Sequence, residues 1–211
     1  MNTINVSALR FTALFALVAT SLSLMGTGNA STTPSGDPRT DVVSAYDAIA
    51  KIAMDAKDQQ TLTKNIRATL EVLIDFERFS KRTIKSTWPD LSSRDRKRFQ
   101  TLFKRLIIQT YAKRFKPGSS FTVSYRADTQ FRKEEATVPT TVHGEKIAVD
   151  VTYVFHWVTS PSSSGWKAYD LEIDEVSMAL NWRRQFTRIL TRDGFEALLK
   201  KIERRVSQTG G

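Results

Sequence analysis

Cysteine is absent from the 211-residue chain, which excludes a disulfide scaffold, thiol chemistry and thiolate-bound metal. Histidine is almost absent: His143 and His156 are the only two, too few for a site built on several imidazoles. Long apolar runs are missing too. The one candidate, Phe11 to Met25, covers about fifteen residues, short of the roughly twenty that a membrane-crossing helix requires. It follows a segment with a single basic side chain, Arg10, and precedes Gly28-Asn29-Ala30, small residues that a signal peptidase accepts. Residues 1–30 therefore read as a signal peptide and the rest as one exported domain. Acid is scarce as well, with 22 Asp and Glu against 32 Lys and Arg and a formal net charge of +10. That balance favours nucleic acid, anionic lipid or an acidic partner, and export makes nucleic acid the least natural of the three.

What the chain does contain is regular periodicity. Residues 31–41, rich in Ser, Thr, Pro and Gly, read as a flexible lead-in. From there apolar residues recur at helical spacing, first Val42, Tyr46, Ile49, Ile52 and Ala53, then Leu62, Ile66, Leu70 and Leu73. Phe76, Phe79, Ser80, Thr83 and Ile84 predict a short third helix, stopped at Trp88-Pro89 because the residue before a proline is pushed out of helical geometry. Ser92 with Asp95 predicts the capped start of a fourth, whose stripe Phe99, Leu102, Phe103, Leu106, Ile107, Tyr111 and Phe115 runs to Lys116-Pro117-Gly118. Beyond Gly118 the period falls to two, in Phe121, Val123, Tyr125 and in Ile147, Val149, Val151, Tyr153, Phe155, Trp157. A weaker strand is expected over 131–142, a loop over 159–165 and a strand over 166–175. Helical spacing returns from Ser177, through Leu180, Phe186, Ile189 and Leu190, and after Gly194 through Phe195, Leu198, Leu199 and Ile202, with a frayed tail at 207–211. Strands grouped between helices predict an α+β fold, an antiparallel sheet of about four strands covered on one face by N- and C-terminal helices, as a single domain over 42–206.

The chain shows no nucleophile beside a base, no paired carboxylates at workable spacing, no glycine-rich phosphate loop and no metal-ligand cluster. It is read as a non-enzyme with neither cofactor nor metal. His156 alternates with Val151, Tyr153 and Phe155 and is expected on the strand's surface, with His143 in a turn. Asp170, Glu172 and Asp174 are expected to face water, opposite Tyr169, Leu171 and Ile173. Residues 92–117 hold nine Lys and Arg against Asp95 alone. Such a basic helix face either keeps the protein solvated or attracts an acidic protein surface or anionic lipid, where each basic group near the membrane is worth about 1 kcal/mol. The aromatics sit on apolar stripes, as core residues do, which argues against stacking on nucleic-acid bases. Together with Trp88, Trp157, Trp166 and Trp182 they line either a solid core or a cavity, and periodicity does not separate the two.

Phe76-Glu77-Arg78-Phe79-Ser80, then Trp88, then the run from Phe99 to Ala112 resemble the MlaC, or toluene-tolerance, family of periplasmic lipid-binding proteins. Gly165 to Leu171 followed by Val176 to Phe186, with Ile189-Leu190 and Gly194-Phe195, is similar to that family's strand-to-helix signature. The likeness covers residues 42–206. Two departures stand out: Asp174-Glu175 where the family tends to have a glycine, and Trp182 where tyrosine is frequent.

The resemblance implies a soluble periplasmic shuttle without covalent chemistry. It would carry a phospholipid between an outer-membrane lipoprotein complex and an inner-membrane ABC transporter, touch membrane surfaces transiently, and so maintain outer-membrane lipid asymmetry. It also implies a curved sheet against helices, enclosing an apolar pocket for the acyl chains with the headgroup at its mouth. Alternation then assigns the pocket wall: Val123, Tyr125, Val149, Val151, Tyr153, Leu171 and Ile173 from strands, and Phe76, Phe79, Phe103, Ile107, Tyr111, Val176, Met178 and Phe186 from helices. Arg183 and Arg184, after the strand-to-helix junction, are candidates for headgroup or membrane attraction. A related branch is associated with hopanoid biosynthesis, so a hopanoid-type cargo is the alternative within the family. Outside it, the rivals are a small enzyme of similar fold and a basic binding module for acidic polymers.

Overall fold

The computed structural model describes residues 34–144, 148–160 and 163–209; residues 1–30, expected to be a signal peptide, and the expected strand position Ile147 lie outside them. The element order is α1 (Arg39–Asp55), α2 (Gln59–Leu73), α3 (Phe76–Thr83), a 3-10 turn (Trp88–Asp90), α4 (Ser93–Ala112), β1 (Thr122–Tyr125), β2 (Gln130–Arg132), β3 (Glu135–His143), β4 (Ala148–Ser160), β5 (Ser163–Ile173), β6 (Val176–Ser177) and α5 (Met178–Thr209). The fold is α+β, as the grouping of periods implies.

Local chemistry sets the helix starts. Free N–H groups at a helix start need acceptors, and Asp58 accepts from Thr61 N–H at 2.7 Å and Asp75 from Arg78 N–H at 2.9 Å. Ser92 accepts from Asp95 N–H at 3.1 Å and donates its hydroxyl to the Asp95 carboxylate at 2.7 Å, the predicted cap. Helix α4 stops at Ala112, so Phe115 falls outside it and packs with Phe121 at 5.0 Å instead of extending the stripe. In α5, Gly194 takes φ 81°, ψ 179°, a conformation that side-chain-bearing residues rarely adopt. The helix breaks there into two arms that fold back on each other, bringing the Arg205 guanidinium 5.4 Å from the Trp182 ring.

The sheet is antiparallel, in the order β1-β3-β4-β5-β6 with β2 also paired to β3. It has six strands where about four were expected, because β2 and β6 are three and two residues long and too short to leave a period. The loop expected over 159–165 is mostly strand, since β4 and β5 pair as far as Ser160↔Ser163. The β5–β6 turn is built on Asp174 and Glu175 at φ 47° and 65°. This is the left-handed region, where L-residues cost roughly 1–2 kcal/mol each, and it falls at the departure from the family's glycine.

The lead-in expected to be flexible is tied down from Ser35. Trp166 Nε1 donates to the Ser35 and Gly36 carbonyls, and Asp37 accepts from Arg39 N–H and from the Thr129 hydroxyl. At the other end α5 continues through Thr209, past the expected fraying point. No described helix is long and apolar enough to cross a membrane.

Candidate functional site

The ladder places every strand residue assigned to the pocket wall on one face. Val123 pairs with Val142 and Val142 with Val149; Tyr125 with Thr140, Val151 and Ile173; Val138 with Tyr153 and Leu171; Ala136 with Phe155 and Ala168. Residues directly across an antiparallel ladder share a face, so these four rungs form one inner surface. Its burial is graded. Ala136, Val138, Phe155 and Ala168 are sealed in the core, whereas Val123, Val142, Val149, Leu171 and Ile173 are half-buried. Over the middle rungs lies Tyr46 of α1, whose hydroxyl is 2.5 Å from that of Tyr153. Burial pushes the Tyr46 hydroxyl up to about 12 and the Tyr153 hydroxyl well above its usual 10. The Tyr125 hydroxyl is enclosed without a hydrogen-bond partner, and Arg39 stacks over its ring at 4.7 Å.

The helical members of the assigned wall divide into two groups. Phe79, Phe103 and Phe186 belong to a closed aromatic cluster with Phe99 and Trp182: Phe79–Phe103 centroids are 5.3 Å apart, Phe99–Phe103 5.6 Å, Phe103–Phe186 5.7 Å and Trp182–Phe186 5.4 Å. Phe76 is buried in the same core. Ile107 and Met178 are buried and Tyr111 half-buried, with the Tyr111 hydroxyl donating to Met178 Sδ at 2.9 Å. Val176 is not helical: it opens β6, pairs with Ile173 and is 43% exposed. Arg183 donates its Nε–H to the Arg82 carbonyl at 2.7 Å and so pins α5 to the end of α3; Arg184 is exposed, and its carbonyl accepts from Arg188. A groove of about 850 Å³ lies elsewhere, between α4 and the two arms of α5, and meets the assigned wall only at Phe186.

The outer face of the sheet corrects two expectations. His156 is not a surface residue: its side chain is 12% exposed, with Nδ1 2.8 Å from Arg78 Nη1 and Nε2 2.8 Å from Asp75 Oδ2. Because Arg78 only donates, Nδ1 accepts and the proton sits on Nε2, directed at Asp75. Asp75 is held below the usual carboxylate range; burial opposes this, but hydrogen bonds from His156 and from the Arg78 N–H outweigh it. His143 ends β3, with Nε2 2.8 Å from the Ser124 hydroxyl. Asp170 does not face water either. It is 1% exposed and accepts from the Ala179 N–H at 3.0 Å, the Ser177 hydroxyl at 2.6 Å, and Arg82 at 3.2 Å, which anchors the start of α5 to the sheet.

Partners from other elements cover both side chains, and a β-bulge beside them turns Tyr169 outward as well. Val154 pairs with Asp170 but Phe155 with Ala168, so Tyr169 is an extra residue that separates it from Leu171 and Ile173. Its ring lies under Arg78 at 4.1 Å and beside His156 at 5.4 Å. Three alternating carboxylates gave no sign of this in the sequence. The described residues contain no group of three or more His, Cys, Asp or Glu side chains placed to hold a metal ion.

The class is thus an α+β domain whose antiparallel sheet presents a half-open apolar inner face under its helices. The MlaC protein family model matches residues 43–204, and the chain belongs to that family. The fold is similar to a solved phospholipid-binding protein from Ralstonia solanacearum in complex with a phospholipid, with a TM-score of 0.73 and 22% identity over 83% of this chain and 100% of that one. No curated protein matches the sequence.

Proposed function

We propose that the protein is a phospholipid carrier of the periplasm, a binding protein and not an enzyme. The observation that carries this reading is the graded inner face: apolar rungs sealed at one end and half-open at Val123, Val142, Val149, Leu171 and Ile173, in a chain of the MlaC family. The Ralstonia solanacearum protein of like fold, bound to a phospholipid, supports the choice of ligand. Leaving a chain of about fifteen methylenes in water costs on the order of 12 kcal/mol at about 0.8 kcal/mol each. A carrier has to replace the bilayer's apolar surroundings without exceeding them by much, or delivery fails. A face that is already half-open meets that demand, because the acyl chains displace little packing on entry.

In this reading acyl chains lie along the half-open rungs, between Tyr111 and Met178 on one side and Tyr46 and Tyr125 on the other. The carrier would exchange lipid with an outer-membrane lipoprotein complex and an inner-membrane ABC transporter, and thereby support outer-membrane lipid asymmetry. The test is native mass spectrometry of the protein purified from bacteria without detergent, followed by solvent extraction. A discrete added mass matching a phospholipid is expected. An apo mass that persists after incubation with phospholipid vesicles overturns the proposal, and a hopanoid mass moves the cargo to the alternative within the family.

A further inference from the structure

The groove between α4 and the arms of α5 belongs to neither the sheet nor the proposed carrier site. Its floor is apolar and buried, formed by Leu106, Trp182, Phe186, Leu198 and Ile202. Its rim is cationic: Arg188 and Arg192 from the first arm, Lys201, Arg204 and Arg205 from the second, with no Asp or Glu among the lining residues. Gly194 causes this gathering, since only the fold-back of the arms brings 188–192 opposite 201–205.

Outside the groove, two cations of α4 have carboxylate partners. Arg98 pairs with Glu196 and Lys104 with Glu71. On the rim, Arg192 is held by its neighbour Asp193 at 2.7 Å, Arg205 lies over the Trp182 ring, and Arg188 donates weakly to the Arg184 carbonyl at 3.3 Å. Among the described residues, no carboxylate lies within ion-pair distance of Arg188, Lys201 or Arg204. Gathering like charges around a concave, low-dielectric floor is unfavourable in isolation and concentrates positive potential in the groove. Arginine forks suit phosphate oxygens, which accept two parallel N–H bonds. The lining of the first arm runs from Trp182 to Arg192, about 15 Å at 1.5 Å per residue, room for an apolar stem along the floor.

We propose that this groove is a second binding site, for an anionic amphiphile whose phosphate is held by Arg188, Lys201 and Arg204 while its apolar stem rests on Leu106, Phe186 and Ile202. It is separate from the inner face of the sheet, shares only Phe186 with it, and does not require the carrier reading.

The test is titration of the protein with lysophosphatidylglycerol, zwitterionic lysophosphatidylcholine and inorganic phosphate, the lysolipids below their micelle concentrations. Calorimetry reads affinity and tryptophan emission reads location. Lysophosphatidylglycerol should bind at least tenfold more tightly than either of the others, and its emission change should vanish in Trp182→Phe. The double variant Arg188→Glu with Lys201→Glu should weaken it at least tenfold at unchanged circular dichroism. Arg204→Gln, at an exposed helical position, should weaken it severalfold and serves if the double variant does not fold. Equal affinity for the two lysolipids, undiminished binding in the folded charge variants, or an emission change that survives Trp182→Phe overturns the proposal. Inorganic phosphate binding as tightly as lysophosphatidylglycerol overturns the role of the floor. Ile173→Asp, aimed at the sheet face, should leave this binding intact, so failure of the carrier reading and failure of the groove are told apart.

Discussion

Two apolar regions of this protein carry the same kind of sequence and end in different states. Around Phe103, aromatic rings from α3, α4 and α5 meet at 5.3–6.0 Å with almost no solvent. On the inner face of the sheet, Val123, Val142, Val149, Leu171 and Ile173 alternate as regularly, yet stay half-buried. Close packing makes the first region a support, because an interior at crystal-like density yields to no ligand without loss. The second region has packing to gain, which is what a binding face needs. The assigned lipid wall spans both, and the structure separates its fully enclosed members, Phe79 and Phe103, from those with room for a guest.

Breaking the closed region should have the largest effect. Phe103→Ala leaves a cavity among Phe79, Phe99, Trp182 and Phe186 and should cost about 3–5 kcal/mol, read as a lower midpoint in urea unfolding. Asp170→Ala comes next, because it removes a buried acceptor from Ala179 N–H, Ser177 and Arg82. It should cost about 2–3 kcal/mol, with helix signal lost from α5 first in hydrogen exchange.

Between the two regions, the Tyr46–Tyr153 pair ties α1 to the sheet and titrates. With the Tyr46 hydroxyl raised to about 12 by burial, the unfolded chain ionises near 10 before the folded one does. Stability is therefore full below pH 10 and falls as pH rises through 12. Tyr46→Phe should show a flatter decline over that window in unfolding free energy measured at several pH values. Glu175→Gly relieves a left-handed residue at φ 65° and should raise stability by about 1 kcal/mol, seen as a few degrees in the melting temperature.

A smaller effect on stability than Phe103→Ala is expected for Ile173→Asp, because Ile173 is half-buried where Phe103 is sealed. The same substitution should strip co-purified lipid from the protein in native mass spectrometry. A large loss of stability with lipid retained would invert the comparison.

Much of this was legible along the chain. The Ser92–Asp95 cap, the stripe of α4, the period-two run of β4 and the break at Gly194 are local events, decided within a few residues by capping, spacing and backbone freedom. The alternation also groups the strand residues that share one face, except around Tyr169, where an extra residue moves that ring to the outer face beside His156. A bulge leaves no periodic mark, and a one-residue slip exchanges faces. The burial of His156 and Asp170 is not legible for a related reason: their partners, Asp75, Arg78, Arg82 and Ala179, come from other elements.

By itself the sequence determined most of the helices and the longer strands, where most of them stop, and that the chain has no thiol and only two imidazoles. Only the tertiary structure decided which apolar stripe became a solid aromatic core and which a half-open face. It alone folded the arms of α5 so that five cations ring one groove, and it alone buried Asp170. Periodicity records the direction a side chain takes from its own backbone, whereas burial and charge pairing depend on what distant segments place opposite it.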